Sequence, residues 1–394
     1  MTARSTTMPF PVRLRTEIKL DPVLLTIVLA LLLGGFVILA SASITISDNA
    51  TGNPFHYVER QLLAAAIGTA AGLFCLFVPM RVWQSLGPLL LLIGLALLCI
   101  VLVPGIGYEV NGSRRWVRFG IMNLQVSEPA RLCLLMYLAG YVVRQQKALR
   151  EQFVGFLRPM LVLTLGCALL LAEPDFGAAI VLVATALVML FVAGARIRDF
   201  LLFFSAAVIA MVTLAVTSPY RMKRLTGFLD PWADPFNSGF QLTQSLIAIG
   251  RGEWLGVGLG AGVQKLFYLP EAHTDFVFAV FAEEFGLLGS VALIALFMAL
   301  LWRVFKLAMR AADTERLFEA YLAMGLGTWI GLQAFINIGV NMGLLPTKGL
   351  TLPLVSYGRS SLIVTMIAFG LLLRIHHELV VDAKPVNRKR GRKR

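Results

Sequence analysis

Charged residues are scarce in this sequence, and their scarcity excludes most soluble architectures. Only 14% of the 394 residues are charged, 58% are hydrophobic, and the mean hydropathy is +0.79. Soluble domains carry about 25% charged residues. We therefore expect one membrane-embedded bundle rather than two or three soluble domains.

Cysteine and histidine are also rare, and neither forms a metal-binding motif. The four cysteines lie in or beside apolar runs without a CxxC pair, which argues against a disulfide framework or a zinc site. The four histidines form no HExxH-like pattern. No stretch interleaves basic with stacking aromatic residues, so the net charge of +13 is not attributed to nucleic acid.

Ten apolar runs predict an all-α polytopic membrane protein of about ten transmembrane helices with one large extracytoplasmic loop. About twenty polar residues precede the first run, so it is not predicted to be a cleaved signal peptide. The runs lie near residues 22–45, 58–78, 87–104, 126–143, 159–173, 177–193, 200–217, 278–302, 317–340 and 354–373.

Lysine and arginine concentrate in alternate connections, which predicts that both ends of the chain are cytosolic. We expect a cytosolic tail at 1–20, a transmembrane domain at 21–376 with a large periplasmic loop at 218–277, and a basic cytosolic tail at 377–394. The basic tail is interpreted as a topology anchor rather than a binding site.

Two outer segments carry positive charge against this bias. These charges are Arg114, Arg115 and Arg118 in the first segment, and Arg221, Lys223, Arg224, Arg251 and Lys265 in the long loop. An anionic ligand at the outer face would account for them. Pairing with local acids such as Glu109, Asp230 and Asp234 is the alternative, and the sequence leaves both open.

Charged residues at the ends of spans are candidate functional groups, because charge is costly there. Glu128 and Arg131 share one helix face and form either a simple ion pair or part of a polar cavity. The other positions are Glu173-Pro174-Asp175, typical of a capped turn, and Glu283 with Glu284, predicted to contact the cavity or a cation.

The end of the long outer loop holds the most suggestive acid. Thr274 or Asp275 is expected to cap the following helix. An Asp275 carboxylate at that position would be ionised and able to accept a proton. Capping alone would also explain the residue type, so catalysis remains one of two interpretations.

Two further loop features have structural expectations. Residues 241–249 have helical spacing and are predicted to lie along the membrane surface. The loop at 345–361 combines prolines, glycines and hydroxyl residues with Lys348 and Arg359, which predicts a shaped loop that dips to the membrane beside a cavity.

Five motifs together resemble the SEDS family of peptidoglycan polymerases, and its division branch more than its elongation branch. They are Asn111-Gly112-Ser113-Arg114-Arg115-Trp116, Ser127-Glu128-Pro129-Ala130-Arg131, Glu173-Pro174-Asp175-Phe176-Gly177, residues 268–276, and the proline-bounded loop through Ser361. The resemblance covers nearly the whole chain.

The resemblance implies a site and a reaction. It implies lipid II as substrate, β-1,4 glycan strands as product, and Asp275 as the catalytic residue, which we predict to be the general base with undecaprenyl pyrophosphate leaving. The predicted substrate-binding residues are Glu128, Arg131, Arg114, Arg115, His273, Lys348 and Ser356. A divalent cation, Mg²⁺ or Mn²⁺, is expected with Asp275 and Glu128 as ligands, and no organic cofactor is expected.

The resemblance also implies a location and partners. It implies a multi-pass protein of the bacterial inner membrane at the division septum, with the class B penicillin-binding protein FtsI, FtsQ, FtsL and FtsB as partners. Two other functions remain open, a lipid II flippase and a non-catalytic scaffold for a transpeptidase.

Overall fold

The computed structural model describes residues 18–110, 113–120, 122–217, 222, 226–237 and 239–382. Most of the two predicted tails lies outside these residues. Three of the predicted outer cations, Arg221, Lys223 and Arg224, also lie outside them, as do Asn111 and Gly112 of the first motif.

Each predicted apolar run coincides with a helix, which confirms the all-α membrane architecture. Within the described residues the helices are α1 (Pro22–Thr51), α2 (His56–Phe77), α3 (Met80–Leu102), α4 (Ser127–Arg144), α5 (Gln146–Glu151), α6 (Phe153–Ala172), α7 (Phe176–Val192), α8 (Ile197–Val216), α9 (Phe240–Gly252), α10 (Val277–Asp313), α11 (Leu317–Asn341) and α12 (Arg359–Asp382). The helix predicted at 241–249 is α9.

Length and composition support the membrane location. Among the described residues, seven helices are long and apolar enough to cross a membrane, namely α1, α2, α3, α6, α10, α11 and α12. Helix α7 is apolar but has 17 residues. Helix α4 carries Glu128, Arg131 and Arg144, so its own sequence is less apolar than the bundle around it.

The segment between α3 and α4 forms a small sheet, which the sequence did not predict. Strands β1 (Gly107–Val110), β2 (Ser113–Phe119) and β3 (Met122–Gln125) pair antiparallel in the order β1-β2-β3. The strands are too short to be stable alone. They are held by contact with the turn between α6 and α7, where the Ser113 hydroxyl donates to the Glu173 carbonyl at 2.7 Å.

Helices α2 and α12 pack at backbone distance, because glycines face each other across the contact. A Cβ added at Gly370 would lie 2.2 Å from the Gly72 carbonyl oxygen, and one at Gly72 would lie 2.7 Å from the Met366 carbonyl oxygen. Small residues allow this approach between membrane helices. The pair therefore gives the loop before α12 a rigid support.

Helix α10 is broken within its first third. Gly286 has φ 66° and ψ −163°, a conformation that only glycine adopts readily. The rest of α10 is helical, so the helix consists of a short segment before Gly286 and a long segment after it.

Candidate active site

Asp275 lies immediately before α10, and its main chain is fixed by two asparagines of α11. The Asn337 and Asn341 side-chain amides donate to the Asp275 carbonyl oxygen at 2.8 and 2.9 Å. Asn337 also donates to the Leu350 carbonyl oxygen at 2.6 Å. The Asp275 side chain is half-buried, so the residue is held by its backbone at a partly accessible position.

The prediction that Thr274 or Asp275 occupies the N-cap position of α10 was wrong. Phe276 occupies that position, and the Ala279 amide donates to the Asn341 side-chain oxygen at 3.1 Å as well as to the Phe276 carbonyl oxygen at 3.1 Å. The Thr274 hydroxyl donates to a Glu271 carboxylate oxygen at 2.7 Å. A residue of the neighbouring helix serves this terminus, and such a tertiary partner is not visible in the local sequence.

Gly349 lies directly beside the Asp275 carboxylate. A Cβ added at Gly349 would lie 3.2 Å from Asp275 Oδ2. Gly349 is itself exposed, and no side chain fills this side of the carboxylate from that position. The preceding Lys348 places its ammonium 4.1 Å from the centre of the Phe176 ring, at the start of α7. The loop between α11 and α12 therefore places a glycine beside the predicted base, and the residue before that glycine is a lysine.

His273 belongs to an aromatic cluster with Tyr57 of α2 and Tyr357. The His273 ring centre lies 4.7 Å from that of Tyr57 and 5.7 Å from that of Tyr357. The Tyr357 amide donates to the His273 carbonyl oxygen at 2.9 Å. Burial lowers the pKa of His273, although Glu271 acts in the opposite direction, so the imidazole is neutral at pH 7.

Glu128 and Arg131 form a buried ion pair, as one of the two interpretations predicted. Arg131 Nη2 lies 2.5 Å from Glu128 Oε2, and the guanidinium lies 4.7 Å from the Trp329 ring centre. Arg131 Nε and Nη1 are buried without a hydrogen-bond partner. The pair thus leaves two donors of a buried cation unsatisfied, which is unusual for a purely structural contact.

A row of polar side chains along α11 joins this ion pair to Asp275. Trp329 donates to Gln333 at 2.9 Å, and Gln333 donates to the Thr351 carbonyl oxygen at 3.0 Å. Asn337 and Asn341 continue the row at the same spacing of four residues. Eight residues separate Trp329 from Asn337, about 12 Å along a helix. Sequence analysis missed this row, although four polar or amphipathic positions at helical spacing in an apolar run could have revealed it.

Arg114 and Arg115 of β2 make different contacts. Arg114 pairs with Glu109 at 3.2 Å with both side chains about half exposed, which is the predicted local pairing. Arg115 donates through Nε to the Glu173 carbonyl oxygen at 3.1 Å and through Nη2 to the Pro174 carbonyl oxygen. Arg115 therefore fixes the turn between α6 and α7.

The turn itself contains one cap and one buried acid. Asp175 accepts from the Ala178 amide at 3.1 Å and from the Ser127 hydroxyl at 2.9 Å, which confirms the predicted capped turn. Both carboxylate oxygens of Glu173 are buried without a hydrogen-bond partner. Burial, reinforced by Asp175 and opposed by Arg115, raises the pKa of Glu173 to about 8. Glu173 is therefore protonated at neutral pH.

Similarity to known proteins identifies the family of this chain. A family model described as "Cell cycle protein", covering FtsW, RodA and SpoVE, matches residues 22–380. The chain belongs to this family. The resemblance predicted from the motifs is thereby confirmed.

Relatives of the FtsW/RodA/SpoVE family match almost end to end. A protein of Thioalkalivibrio sulfidiphilus named "Probable peptidoglycan glycosyltransferase FtsW" is 56% identical over 368 residues, which cover 93% of this chain and 92% of the relative. One of Alkalilimnicola ehrlichii with the same name is 55% identical over 379 residues, covering 95% and 94%.

Solved structures of the family share the fold. A chain from a structure described as "Structural coordination of polymerization and crosslinking by a peptidoglycan synthase complex" has a TM-score of 0.74 and 32% identity, with 92% of this chain and 99% of that chain covered. The rod shape determining protein RodA of Thermus thermophilus has a TM-score of 0.68 and 30% identity, with 92% and 98% covered.

Other predicted site residues of this family member have structural partners. The Ser356 oxygen accepts from the Leu352 amide at 2.8 Å, inside the last outer loop, and Ser356 is buried. Glu283 and Glu284 are also buried and contact the long outer loop. Substrate binding by Ser356 and by the other six predicted residues stays a prediction.

The divalent cation also stays a prediction. The part of the chain that the structure describes contains no group of three or more His, Cys, Asp or Glu side chains that could hold a metal. Glu128 is engaged by Arg131, so the expected pair of Glu128 and Asp275 does not by itself form a protein-held metal site.

Proposed function

We propose that this chain is a glycosyltransferase that polymerises lipid II into the β-1,4 glycan strands of septal peptidoglycan during cell division. Membership of the family and two relatives named as peptidoglycan glycosyltransferases support the activity. The observation that carries the mechanism is the half-buried Asp275, whose main chain is held by Asn337 and Asn341 while Gly349 leaves space at its carboxylate.

Asp275 acts as the general base in this proposal. The acceptor sugar 4-hydroxyl approaches the carboxylate beside Gly349 and gives up its proton as its oxygen bonds to C1 of the donor. The bond from C1 to the diphosphate breaks, and undecaprenyl pyrophosphate leaves. A direct displacement inverts the anomeric centre and requires one base, so a second catalytic carboxylate is not needed.

Cationic groups stabilise the negative charge of the departing diphosphate. Lys348 is the best placed of the predicted cations, because it adjoins Gly349 at the opening. Arg131 supplies buried donors without partners at a deeper level of the bundle. If a divalent cation binds, Asp275 would be its protein ligand, and Mg²⁺ commonly completes such a site with phosphate oxygens and water.

The proposed setting is the division septum of the bacterial inner membrane, with both termini cytosolic. The partner is a class B penicillin-binding protein of the FtsI type, in a divisome that contains FtsQ, FtsL and FtsB. Support for the transpeptidase comes from the similar solved structure, whose description couples polymerization with crosslinking in one complex.

The test is a lipid II polymerisation assay on the purified chain with its transpeptidase. Asp275→Asn preserves the size of the side chain and removes the base, so glycan synthesis should fall by at least about 100-fold. Asp230→Asn, an exposed acid of the same loop, is the matched control and should behave like the wild type. Each protein is assayed with and without chelator.

Three results would redirect the proposal. Full synthesis by Asp275→Asn would remove Asp275 as the base. Absence of synthesis by every protein, with labelled lipid II crossing liposome membranes equally in wild type and Asp275→Asn, would favour a flippase. Absence of both activities would favour a scaffold for the transpeptidase.

A further inference from the structure

The break in α10 is filled by main chain from the long outer loop. Leu287 and Leu288 would normally donate to the carbonyls of Glu283 and Glu284, four residues earlier. Instead the Leu287 and Leu288 amides donate to the carbonyls of Glu253 and Trp254 at 2.9 and 3.1 Å.

The two carbonyls of α10 that lose their helical donors are satisfied by the same loop. Val257 donates to the Glu283 carbonyl at 3.0 Å, and Gly258 donates to the Glu284 carbonyl at 3.1 Å. Two helical hydrogen bonds are thus replaced by four bonds between loop and helix. Buried polar main chain requires such replacement inside a membrane protein.

Three glycines make this insertion sterically feasible. A Cβ at Gly286 would lie 2.3 Å from the Gly256 nitrogen, one at Gly256 would lie 2.1 Å from the Glu284 carbonyl oxygen, and one at Gly252 would lie 2.0 Å from the Ala282 carbonyl oxygen. Side chains at these positions would displace the loop from the helix.

Lys265 ties the same loop to two helices. Its Nζ lies 2.5 Å from Glu284 Oε1 in α10 and 2.6 Å from the Ser41 oxygen in α1. The Ser41 hydroxyl donates in turn to Glu284 Oε1 at 2.7 Å. Lys265 is 5% exposed and Glu284 is 1% exposed, so the triangle is buried. Ionisable residues inside a membrane bundle are costly and usually functional.

Glu283 holds the loop through its main chain. Its carboxylate oxygens accept from the Val263 amide at 3.0 Å and the Gln264 amide at 3.2 Å. Glu283 and Glu284 therefore both bind the loop, at residues 263–265. The sequence had predicted that they contact a cavity or a cation.

The chain between Lys265 and Asp275 has little freedom. The Leu269 amide donates to the Gln264 carbonyl at 2.8 Å, and Leu269 and Ala272 are fully buried. Phe267 and Glu271 have φ values of 67° and 55°. Left-handed conformations at such residues persist only where the surroundings determine them. A displacement at Lys265 would consequently be passed on to Asp275.

We propose that Lys265 is a positioning residue for glycosyl transfer. Its contacts with Glu284 and Ser41 keep the loop inserted at Gly286 and so hold Asp275 at the distance from substrate that proton transfer requires. The proposal rests on the proposed function of Asp275. A misplacement of about 1 Å can cost about 100-fold in rate, so a bond triangle ten residues away is sufficient to control turnover.

The experiment combines kinetics with amide hydrogen exchange on the full chain with its transpeptidase. In Lys265→Met, kcat for lipid II polymerisation should fall by at least about tenfold with KM changed less than about twofold. Exchange at Val257 and Gly258 should accelerate by at least about tenfold, because the inserted loop opens more often. Lys306→Met is the matched control, since that lysine lies over Trp302 in the same helix, and it should change neither quantity.

Ser41→Ala provides a second test if Lys265→Met does not fold, because it removes the bridging hydroxyl without leaving a charge unpaired. It should change exchange and kcat in the same direction by a smaller factor. Wild-type exchange in Lys265→Met, or faster exchange with wild-type kcat, would overturn the proposal.

Asp275→Asn should abolish polymerisation but leave amide exchange at Val257 and Gly258 as in the wild type. Retained polymerisation in Asp275→Asn would instead defeat the function of Asp275, whereas the exchange data would still decide whether Lys265 holds the loop.

Discussion

The two ends of the bundle differ in what their polar side chains mainly bind. At the end where α1 begins, charged side chains bind one another between helices. Asp21 accepts two hydrogen bonds from Arg303 of α10 at 2.7 and 2.9 Å, and Glu378 of α12 accepts from Arg316, the residue before α11, at 3.0 Å. These contacts fasten helix ends together.

At the end where α10 begins, Lys265 and Glu284 form an ion pair, but several other polar side chains bind main chain. Asn337 and Asn341 hold the Asp275 carbonyl, Glu283 holds two loop amides, and Arg115 holds two carbonyls of the turn after α6. The difference shows that the first end stabilises the helical frame, whereas the second stabilises irregular backbone that carries reactive side chains. Changes at the two ends should therefore affect different properties.

The largest effect is expected from Asn337→Leu. The change removes one of the two side-chain donors to the Asp275 carbonyl and leaves the Leu350 carbonyl without its side-chain donor. The main chain at Asp275 should shift, so kcat should fall about 100-fold, while the thermal midpoint should fall by about 3 °C. Polymerisation kinetics and thermal unfolding of the purified protein check both values. Asn49→Ala, whose side chain is exposed and bonds only within α1, is the control. Wild-type kcat in Asn337→Leu would contradict the division of roles.

A smaller effect on turnover is expected from Gly349→Ala. The added methyl would lie 3.2 Å from Asp275 Oδ2, on the side where the acceptor approaches in the proposed mechanism. We expect kcat to fall about tenfold with no change in thermal stability. Gly34→Ala is the matched control, because a Cβ there meets nothing within 4 Å. If both alanine variants polymerise lipid II equally well, the space beside Asp275 is not used.

Arg303→Met should affect the frame and leave turnover intact. It leaves the buried Asp21 without its main cationic partner. We expect a cost of about 2 kcal/mol, less than for a fully buried ion pair, because the arginine is partly exposed. The thermal midpoint should fall by about 3 °C. Below that transition, kcat per folded molecule should equal that of the wild type. A fall in kcat at a temperature where the variant is fully folded would show that the two ends are coupled.

The helical frame was predictable because each membrane span is specified by its own residues. Twenty apolar residues in a row leave few alternatives to a transmembrane helix, and the ten predicted runs coincide with helices. The sheet at β1 to β3 was not predictable in the same way. Its strands are short and depend on the turn that Ser113 and Arg115 contact, about sixty residues later in the chain.

The site was predictable only in part, for a related reason. The sequence placed Asp275 before a span and paired Glu128 with Arg131, since both inferences use local spacing. It assigned the cap of α10 to local residues, whereas Asn341 supplies that partner from another helix. It also left Lys265 open between an anionic ligand and an acidic partner, whereas Lys265 is buried against Glu284 beside a helix break. Contacts between distant segments decide these cases.

Glu173→Gln tests the difference between the two ends through the pH dependence of stability, and no effect on turnover is expected. Where α1 begins, hydrogen bonds from Arg303 and Leu24 outweigh burial and lower the pKa of Asp21, whereas in the turn between α6 and α7 burial raises the pKa of Glu173 to about 8. A raised pKa means that the folded protein binds this proton more tightly than the unfolded chain does. The resulting stability is complete below about pH 4.5 and is lost as the pH rises through about 8.

The thermal midpoint of the wild type should therefore be about 3 °C lower at pH 9 than at pH 6. Glutamine keeps the shape and cannot ionise, so Glu173→Gln should remove this difference. Glu59→Gln, an exposed acid that bonds Asn53, should keep it. Thermal unfolding of the three proteins across this range checks the expectation. An unchanged pH dependence in Glu173→Gln would mean that another group, and not the buried acid beside Arg115, titrates with folding.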